Sequence, residues 1–258
     1  MSLDQDRIRA ILKADHSYYA GSEIPTRQDR RWHLGWMTDL MQRQLTPASR
    51  VLDAGCGKGH ILMEMYQSFQ SGLGVDTDPD FLRMAEEAKR EQGIQNVDFL
   101  LLDFPREAAQ LEPESFDLVM SIRGPVTDTA EGLQAAHHLL RPDGLLFCQE
   151  IGELHHREEV ETYWGDTSQA AVRRVDQVRA LMEQNGFEVR LAADLIMKEY
   201  YPDLYAWLHY VCNIWAWLGA PFPEPDDHRL ARFAELNTIA TGEIQTTNHV
   251  CWVGAVKK

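Results

Sequence analysis

The stretch Val51-Leu-Asp-Ala-Gly-Cys-Gly-Lys-Gly59 joins an apolar run to an acidic residue and three glycines at alternate positions. An apolar run of this length predicts a buried β-strand, here at about residues 50–54. Because glycine has no Cβ, its backbone can turn sharply and approach a ligand closely. A helix after the loop would direct free N–H groups and its positive dipole end at that ligand. The segment therefore predicts a loop that binds a nucleotide-like cofactor.

The spacing of the glycines separates three kinds of nucleotide-binding loop. The dinucleotide fingerprint, Gly-x-Gly-x-x-Gly, needs glycine at its sixth position, where this chain has His60. A Walker A loop needs Ser or Thr after Gly-Lys, but Lys58 is followed by Gly59. The remaining pattern is Asp-x-Gly-x-Gly-x-Gly, so a nicotinamide-dependent reductase is a remote alternative.

The chain resembles the class I S-adenosylmethionine-dependent methyltransferases, whose first motif has this form. The resemblance extends over residues 45–150, where apolar strands end in Asp76, Asp103 and Ser121. It implies S-adenosylmethionine as the cofactor and S-adenosylhomocysteine as the product. It also implies an α/β, Rossmann-like fold with a seven-stranded, mostly parallel sheet in the order 3-2-1-4-5-7-6 and helices on both faces.

The hydrophobic pattern predicts how the chain is organised. Strands are predicted at about residues 50–54, 73–76, 97–102, 116–121, 145–149, 187–197 and 243–256, with helices between the first five. Residues 1–45 are predicted to form an N-terminal helical extension with a break near Pro25. Residues 46–258 are predicted to form the methyltransferase domain, with a helical cap inserted between strands six and seven at about 198–241.

The composition restricts the partners of this chain. Its 258 residues carry a formal net charge of −15, which repels a phosphate backbone, so autonomous nucleic-acid binding is not expected. The four cysteines form no Cys-x-x-Cys pair, so no metal site is predicted. The N-terminal residues lack the apolar stretch of a secretory signal, which favours a cytoplasmic location without a membrane partner.

The cofactor residues are predicted from the rule that ligands bind at the carboxyl ends of strands in an open parallel sheet. The Asp76 carboxylate could accept hydrogen bonds from both ribose hydroxyls. Asp103 could accept one from the adenine amino group, with Phe104 beside the ring. Asp53 either organises the glycine loop or meets the cofactor's amino group through water. The predicted cofactor-binding set is Asp53, Ala54, Gly55, Cys56, Gly57, Gly59, Asp76, Thr77, Asp103, Phe104 and Ser121.

The candidates for catalysis are fewer and less specific. His155 and His156, just beyond the fifth strand, are the nearest candidates for a base, with solvated loop residues as the alternative. Arg123, after the fourth strand, could bind a substrate carboxylate or phosphate, or be a surface residue. Methyl transfer needs a base only when an O–H or a poorly acidic N–H must lose its proton. The absence of an evident catalytic pair therefore does not argue against an enzyme.

Residues 200–218 would form a helix that is apolar on nearly all sides, which requires burial on more than one side. The segment is short for a membrane span and lacks flanking positive charge. As a cap over a substrate pocket, it would use Tyr201, Tyr205, Trp207 and Tyr210 to contact the substrate. Core packing and an interface between two copies of the chain, as in a homodimer, are the alternatives.

Taken together, these patterns predict an S-adenosylmethionine-dependent methyltransferase that acts on a nitrogen or oxygen nucleophile of a small molecule by in-line displacement. Two alternatives remain. A methyltransferase of protein or RNA would be favoured by a basic stripe on the folded surface. A non-catalytic, cofactor-binding partner of another enzyme would be favoured by a pocket blocked at the methyl position.

Overall fold

The computed structural model describes residues 3–16, 27–28, 30–159, 162, 174–218 and 221–258. The chain forms two compact units. The first, here called the sheet unit, comprises Trp32–Glu153, Ala171–Leu195 and Val250–Lys258. The second, here called the helical unit, comprises Met1–Arg31, Leu154–Ala170 and Ile196–His249. The break predicted near Pro25 lies outside the described residues.

The main strands are β1 Arg50–Ala54, β2 Ser71–Asp76, β3 Val97–Leu101, β4 Phe116–Ile122, β5 Leu140–Ile151, β6 Phe187–Tyr201 and β7 Ile244–Lys257. They lie in the order β3-β2-β1-β4-β5-β7-β6, as predicted. Strands β1 to β5 are parallel, and β7 runs antiparallel to β5. A two-residue strand, Arg27–Gln28, adds to the outer edge of β6.

This strand order explains how helices cover both faces of the sheet. The chain passes from β1 outward to β3 and then returns to add β4 and β5 on the other side of β1. Because crossovers between parallel strands are right-handed, reversing the direction of travel places the helices on the opposite face. The reversal at β1 and β4 also leaves a crevice at the carboxyl ends of these strands, where ligands bind in such sheets.

The helices are α1 Gln5–Leu12, α2 Arg30–Gln42, α3 His60–Met65, α4 Pro79–Glu91, α5 Ala130–Leu139, α6 Val175–Gln184, α7 Leu204–Leu218 and α8 His228–Asn237. Local chemistry sets their ends. The Asp78 carboxylate caps α4 by accepting hydrogen bonds from the backbone N–H groups of Asp80 and Phe81, and Pro79 occupies the first helical position. Within the described residues, every helix is too short or too polar to cross a lipid bilayer.

Two predicted boundaries were wrong, each because strand pairing extends beyond the local pattern. Residues 198–201 continue β6 rather than starting a helix, since Tyr200 pairs with Arg27. Strand β5 begins at Leu140 because that residue pairs with Phe116 across an irregularity in the register. Helix α5, by contrast, begins after Thr129, whose hydroxyl accepts a hydrogen bond from the Gly132 N–H at 3.1 Å and so caps the helix.

Each unit has its own apolar core. In the sheet unit, buried side chains of β1, β4 and β5 pack with α5 and α6. In the helical unit, α7 packs against α1 and α8, which buries six apolar side chains of α7: Leu204, Trp207, Leu208, Val211, Cys212 and Trp215. This packing accounts for a helix that is apolar on nearly all sides. The division of the chain at residue 45 and the role of the inserted helices as a cap stay predictions.

Candidate functional site

The glycine loop after β1 has the backbone conformation that its sequence predicts. Gly55, Gly57 and Gly59 have φ angles of 81°, 52° and 71°, a region that residues with a Cβ rarely adopt. The N–H groups of Gly55 and Cys56 donate to the Val75 carbonyl at 2.9 and 3.0 Å. The loop is therefore held against the end of β2.

The three glycines serve different physical purposes. A Cβ on Gly55 would lie 2.9 Å from Cδ of Pro125, and one on Gly59 would lie 2.3 Å from Cζ of Phe99. A Cβ on Gly57 would meet no atom within 4 Å. Gly55 and Gly59 thus permit close packing inside the protein, whereas Gly57 presents bare backbone to open space. Gly57 is the glycine at which a ligand can approach.

The Asp76 carboxylate organises this loop as well as ending β2. Its Oδ2 accepts a hydrogen bond from the Gly57 N–H at 2.8 Å, and its Oδ1 accepts one from the Asp78 N–H at 2.9 Å. Each carboxylate oxygen has a second acceptor position. Asp76 can therefore fix the loop and still accept hydrogen bonds from ribose hydroxyls, and the contact with ribose stays a prediction.

Asp53 is the most unusual group of the loop region. Its side chain is buried, and within the described part of the chain its Oδ1 has no hydrogen-bond partner. Burial and, secondarily, the Asp76 charge raise the pKa of Asp53 from 3.8 to about 7. A buried, unpaired carboxylate oxygen is costly unless a donor or cation is supplied to it. The positively charged amino group of S-adenosylmethionine fits this requirement.

Other predicted cofactor residues support the loop through packing. Ser121 is fully buried, and its Oγ donates to the Ala54 carbonyl at 3.0 Å, which ties β4 to β1. Burial raises the pKa of the Cys56 thiol well above its usual range, so this group stays protonated at neutral pH. Thr77 is exposed next to Asp76. Contacts of these residues with the cofactor stay predictions.

Asp103 and Phe104 follow β3, as predicted, but they differ in accessibility. The Asp103 carboxylate is half exposed and accepts a hydrogen bond from Arg106 at 3.3 Å. Phe104 is buried in the core of the sheet unit, where it packs with Leu102. Asp103 is thus available to an adenine amino group. We predicted that the Phe104 ring lies beside the adenine. For this contact, either the Phe104 side chain would have to leave the core, or the adenine would have to contact only the exposed edge of the Phe104 ring.

The structure adds Gly124, which the sequence reasoning did not single out. A Cβ on Gly124 would lie 2.4 Å from both the Ala54 carbonyl oxygen and the Ser121 Oγ. The neighbouring Arg123 has a φ of 55° and donates its N–H to the Gln149 carbonyl at 2.8 Å. Gly124 therefore allows the loop after β4 to pack directly on the glycine loop. The Gly-Pro pair that follows β4 was the available signal.

The remaining residues predicted for catalysis or for substrate contact all belong to the helical unit: His155, His156, Tyr201, Tyr205, Trp207 and Tyr210. Four of them have rings close to one another. The Tyr210 ring lies 5.2 Å from Tyr201 and 6.1 Å from His156, and the His155 and His156 rings are 4.2 Å apart. Tyr205 stands apart, since its hydroxyl accepts from the Asp4 N–H at 2.9 Å.

The aromatic residues of this group also differ in how far their side chains are buried. Tyr201 and Trp207 are fully buried, whereas Tyr210 is partly accessible. The Trp207 ring stacks on Phe233 with ring centroids 3.9 Å apart. Packing inside the helical unit thus accounts for Trp207, and a substrate contact is most readily made by Tyr210. All four substrate contacts stay predictions.

The raised pKa of Asp53 predicts how stability depends on pH. Between pH 4 and pH 7 the folded protein keeps a proton that the unfolded chain has released, so the free energy of unfolding falls as pH rises through this range. Asp53→Asn should remove this fall and stabilise the cofactor-free protein at pH 8 by on the order of 2–4 kcal/mol. Urea unfolding from pH 4 to pH 8 measures the difference, with exposed Asp98→Asn as the control. Parallel wild-type and Asp53→Asn curves would contradict the prediction.

Gly57 and Gly93 form a matched pair for testing the site. Both have positive φ angles, 52° and 69°, and a Cβ on either would meet no protein atom within 4 Å. Each alanine variant should therefore lose roughly 1–2 kcal/mol of stability from backbone strain. Only Gly57→Ala places a methyl group where we expect the cofactor, so its Kd for S-adenosylmethionine should rise about tenfold or more. Calorimetric titration of both variants tests this, and equal affinities would remove Gly57 from the site.

Comparison with known proteins agrees with this geometry. Residues 45–201 match the family described as "Methyltransferase domain". The chain is 31% identical over 120 residues to a protein named ubiquinone biosynthesis O-methyltransferase from Paracidovorax citrulli, covering 46% of this chain and 49% of that protein. It thus spans about half the length of the curated relatives it matches.

Solved structures show the same fold at low sequence identity. The YcgJ protein of Bacillus subtilis has a TM-score of 0.61 at 17% identity, covering 88% of this chain and 99% of that one. Phosphoethanolamine N-methyltransferase 2 of Haemonchus contortus, solved with S-adenosyl-L-methionine, has a TM-score of 0.55 at 18% identity, covering 88% of this chain and 52% of that one. With the family match over more than half of the chain, the strand order and the glycine loop, the chain belongs to the class I S-adenosylmethionine-dependent methyltransferase family.

Proposed function

We propose that this protein transfers the methyl group of S-adenosylmethionine to an oxygen or nitrogen atom of a small molecule and releases S-adenosylhomocysteine. The observation that carries the cofactor assignment is the buried, unpaired Asp53 carboxylate oxygen at the end of β1, which leads into the loop where Gly57 presents bare backbone. This arrangement combines a site for a cationic amino group with an open approach for the ligand. The cofactor, when bound, supplies an electrophilic methyl group on a sulfonium.

The residues of the sheet unit bind and orient the cofactor in this proposal. Asp76 would accept the ribose hydroxyls while it holds the Gly57 N–H, and Asp103 would accept the adenine amino group. An in-line displacement requires the acceptor atom, the methyl carbon and the sulfur to be aligned, so positioning can supply much of the rate. The role of the protein is therefore largely to fix the geometry and to exclude water.

The substrate class is proposed from charge and from the names of relatives. A net charge of −15 opposes a nucleic-acid substrate. The relatives that match at 30–33% identity are named ubiquinone biosynthesis O-methyltransferases, which favours a small molecule with an oxygen nucleophile. Because the match covers under half of this chain, it supports the class of reaction and leaves the individual substrate open.

A transfer experiment tests the proposal. The protein is incubated with methyl-labelled S-adenosylmethionine and a cell extract, and the label is then separated by size. We expect label in the small-molecule fraction, lost in Asp76→Ala and retained in the control Asp98→Ala, whose side chain is 80% exposed. Label in protein or RNA would contradict the substrate class. Cofactor binding without any transfer would contradict the enzyme assignment and favour a binding-only role.

A further inference from the structure

The loop after β4, residues 123–127, packs directly against the start of the glycine loop. A Cβ on Gly55 would lie 2.9 Å from Cδ of Pro125 and 3.1 Å from Cα of Gly124. The same loop meets helix α5, since a Cβ on Gly132 would lie 2.6 Å from the Pro125 carbonyl oxygen. A shift of residues 123–127 would therefore move atoms that contact the glycine loop.

Two polar contacts tie this loop to the end of β5. The Arg123 N–H donates to the Gln149 carbonyl at 2.8 Å. At the other end of the loop, the Thr127 hydroxyl donates to Oε1 of Glu150. The Thr127 side chain is buried, and so is that of Glu150. All four residues belong to the sheet unit, where the Glu150 carboxylate thus holds the loop from inside the protein.

Glu150 occupies its position at a cost to stability. Its side chain lies on the same face of β5 as Cys148, two residues earlier, which belongs to the apolar core of the sheet unit. Burial and, secondarily, the Glu150 charge raise the pKa of the Cys148 thiol well above its usual range. An apolar side chain of similar size would fill the space of Glu150 with a smaller penalty. This cost points to a role for the carboxylate in holding the loop.

The loop also carries backbone strain that its contacts must maintain. Arg123 has a φ angle of 55°, which is uncommon for a residue with a Cβ. Such a conformation persists only where the surrounding structure over-determines it, and it clusters at functional sites. The Gln149 carbonyl fixes one end of this loop and the Glu150 carboxylate fixes the other. Two adjacent residues of β5 therefore clamp a strained loop onto the glycine loop.

We propose that Glu150 is a positioning residue for the cofactor: through the Thr127 hydroxyl, its carboxylate holds residues 123–127 against the glycine loop and so sets the affinity for S-adenosylmethionine. The proposal rests on the proposed function and deepens it by adding a residue outside the predicted cofactor-binding set. A loop that is already held in place loses less conformational freedom when the ligand binds, which increases affinity. In this role Glu150 acts through the loop, without a contact of its own with the cofactor.

A double variant removes this hydrogen bond with both of its partners. Thr127→Val keeps the shape of the side chain without the hydroxyl, and Glu150→Met replaces the carboxylate by an apolar side chain of similar length. When both partners of a buried hydrogen bond become apolar, stability is nearly unchanged or increases. The double variant should therefore unfold at the same urea concentration as the wild type or at a higher one. Its Kd for S-adenosylhomocysteine should nevertheless rise about tenfold, the equivalent of one lost hydrogen bond to a charged group.

Two conservative variants test whether the hydrogen bond itself carries the effect. Thr127→Ser keeps the hydroxyl, and in Glu150→Gln the amide oxygen can still accept from Thr127. Both should bind S-adenosylhomocysteine within about threefold of the wild type. The double variant Thr241→Val/Glu243→Met is the matched control, because the Thr241 hydroxyl donates to Oε2 of Glu243 at 2.7 Å in an exposed position. This control removes the same two groups and should leave the Kd unchanged.

Isothermal titration calorimetry and urea unfolding of the cofactor-free proteins give the two readouts. A Kd that rises in the Thr127→Val/Glu150→Met variant while its urea midpoint does not fall would support the positioning role. An unchanged Kd would overturn it. A rise in Kd accompanied by a lower urea midpoint would also overturn it, because the hydrogen bond would then serve stability alone. Binding by Glu150→Gln as weak as that of the double variant would exclude the hydrogen bond with Thr127 as the cause.

These measurements need no acceptor substrate, so they separate this inference from the function on which it rests. Weakened binding by Asp76→Ala beside wild-type affinity of the Thr127→Val/Glu150→Met variant would overturn the role of Glu150 and leave the proposed function standing. No binding of S-adenosylhomocysteine by the wild type would contradict the proposed function, and the role of Glu150 would fall with it. Weakened binding by both variants, with near-normal binding by Thr127→Ser, would support both proposals.

Discussion

Asp76→Ala is expected to weaken the binding of S-adenosylmethionine by about 100-fold or more. Hydrogen bonds to a charged acceptor each contribute roughly 1.5–3 kcal/mol, and a 1.4 kcal/mol loss corresponds to about a tenfold rise in Kd. Two ribose hydroxyls would lose their acceptor. The Gly57 and Asp78 N–H groups, which Asp76 holds at 2.8 and 2.9 Å, would lose theirs as well. The variant thus removes ligand contacts and loosens the loop that presents Gly57.

Isothermal titration calorimetry with S-adenosylhomocysteine and S-adenosylmethionine measures this effect. Asp98→Ala on the neighbouring strand β3 is the control, because its carboxylate is exposed and pairs only with Lys89 among the described residues. A thermal unfolding scan of Asp76→Ala shows whether the protein is still folded at the temperature of titration. An affinity equal to that of the wild type would exclude Asp76 from the cofactor site.

Gly124→Ala is expected to lower the free energy of unfolding by roughly 3 kcal/mol, as for a small-to-large change in a tightly packed region. The new Cβ would lie 2.4 Å from the Ala54 carbonyl oxygen, which belongs to the backbone of β1 and cannot move without disturbing the sheet. It would also meet the Ser121 Oγ, which donates to that same carbonyl. The variant should therefore impair cofactor binding as well, by shifting the glycine loop.

Gly35→Ala provides a control of opposite sign. Gly35 lies in the middle of α2, and a Cβ there would meet no atom within 4 Å. Replacing a glycine inside a helix by alanine should stabilise the protein by about 0.5–1 kcal/mol. Urea unfolding of both variants compares them directly. If the Gly124→Ala protein were as stable as Gly35→Ala, the loop after β4 would not be packed as closely against the glycine loop as described.

The fold was predictable because its signals are local and repeat regularly. Apolar runs, glycine punctuation and the Asp78-Pro79 helix start specify most strands and helices between residues 50 and 150. The strand order followed from the resemblance carried by the glycine loop and the strand-end carboxylates. The predicted ends of the strands were less accurate. Strand β6 continues through Tyr201 because it pairs with Arg27–Gln28, which lie far away in the sequence.

The sites were predictable to different degrees. Asp53, Gly57 and Asp76 could be named from the sequence because a strand end and a glycine loop define their positions along the chain. His156 could be named only as one polar residue among several after β5. Thr127 gave no signal at all, because it becomes notable only when its burial and its contact with Glu150 are known.

The sequence by itself determined the fold class, the family and the loop that receives the cofactor, since these depend on residues close together in the chain. Only the tertiary structure decided which glycine faces open space, that Asp53 is left with an unpaired oxygen, and that α7 is buried by α1 and α8. It also brought Thr127 to Glu150. Burial and hydrogen bonding between distant residues arise from packing, and spacing along the chain does not encode them.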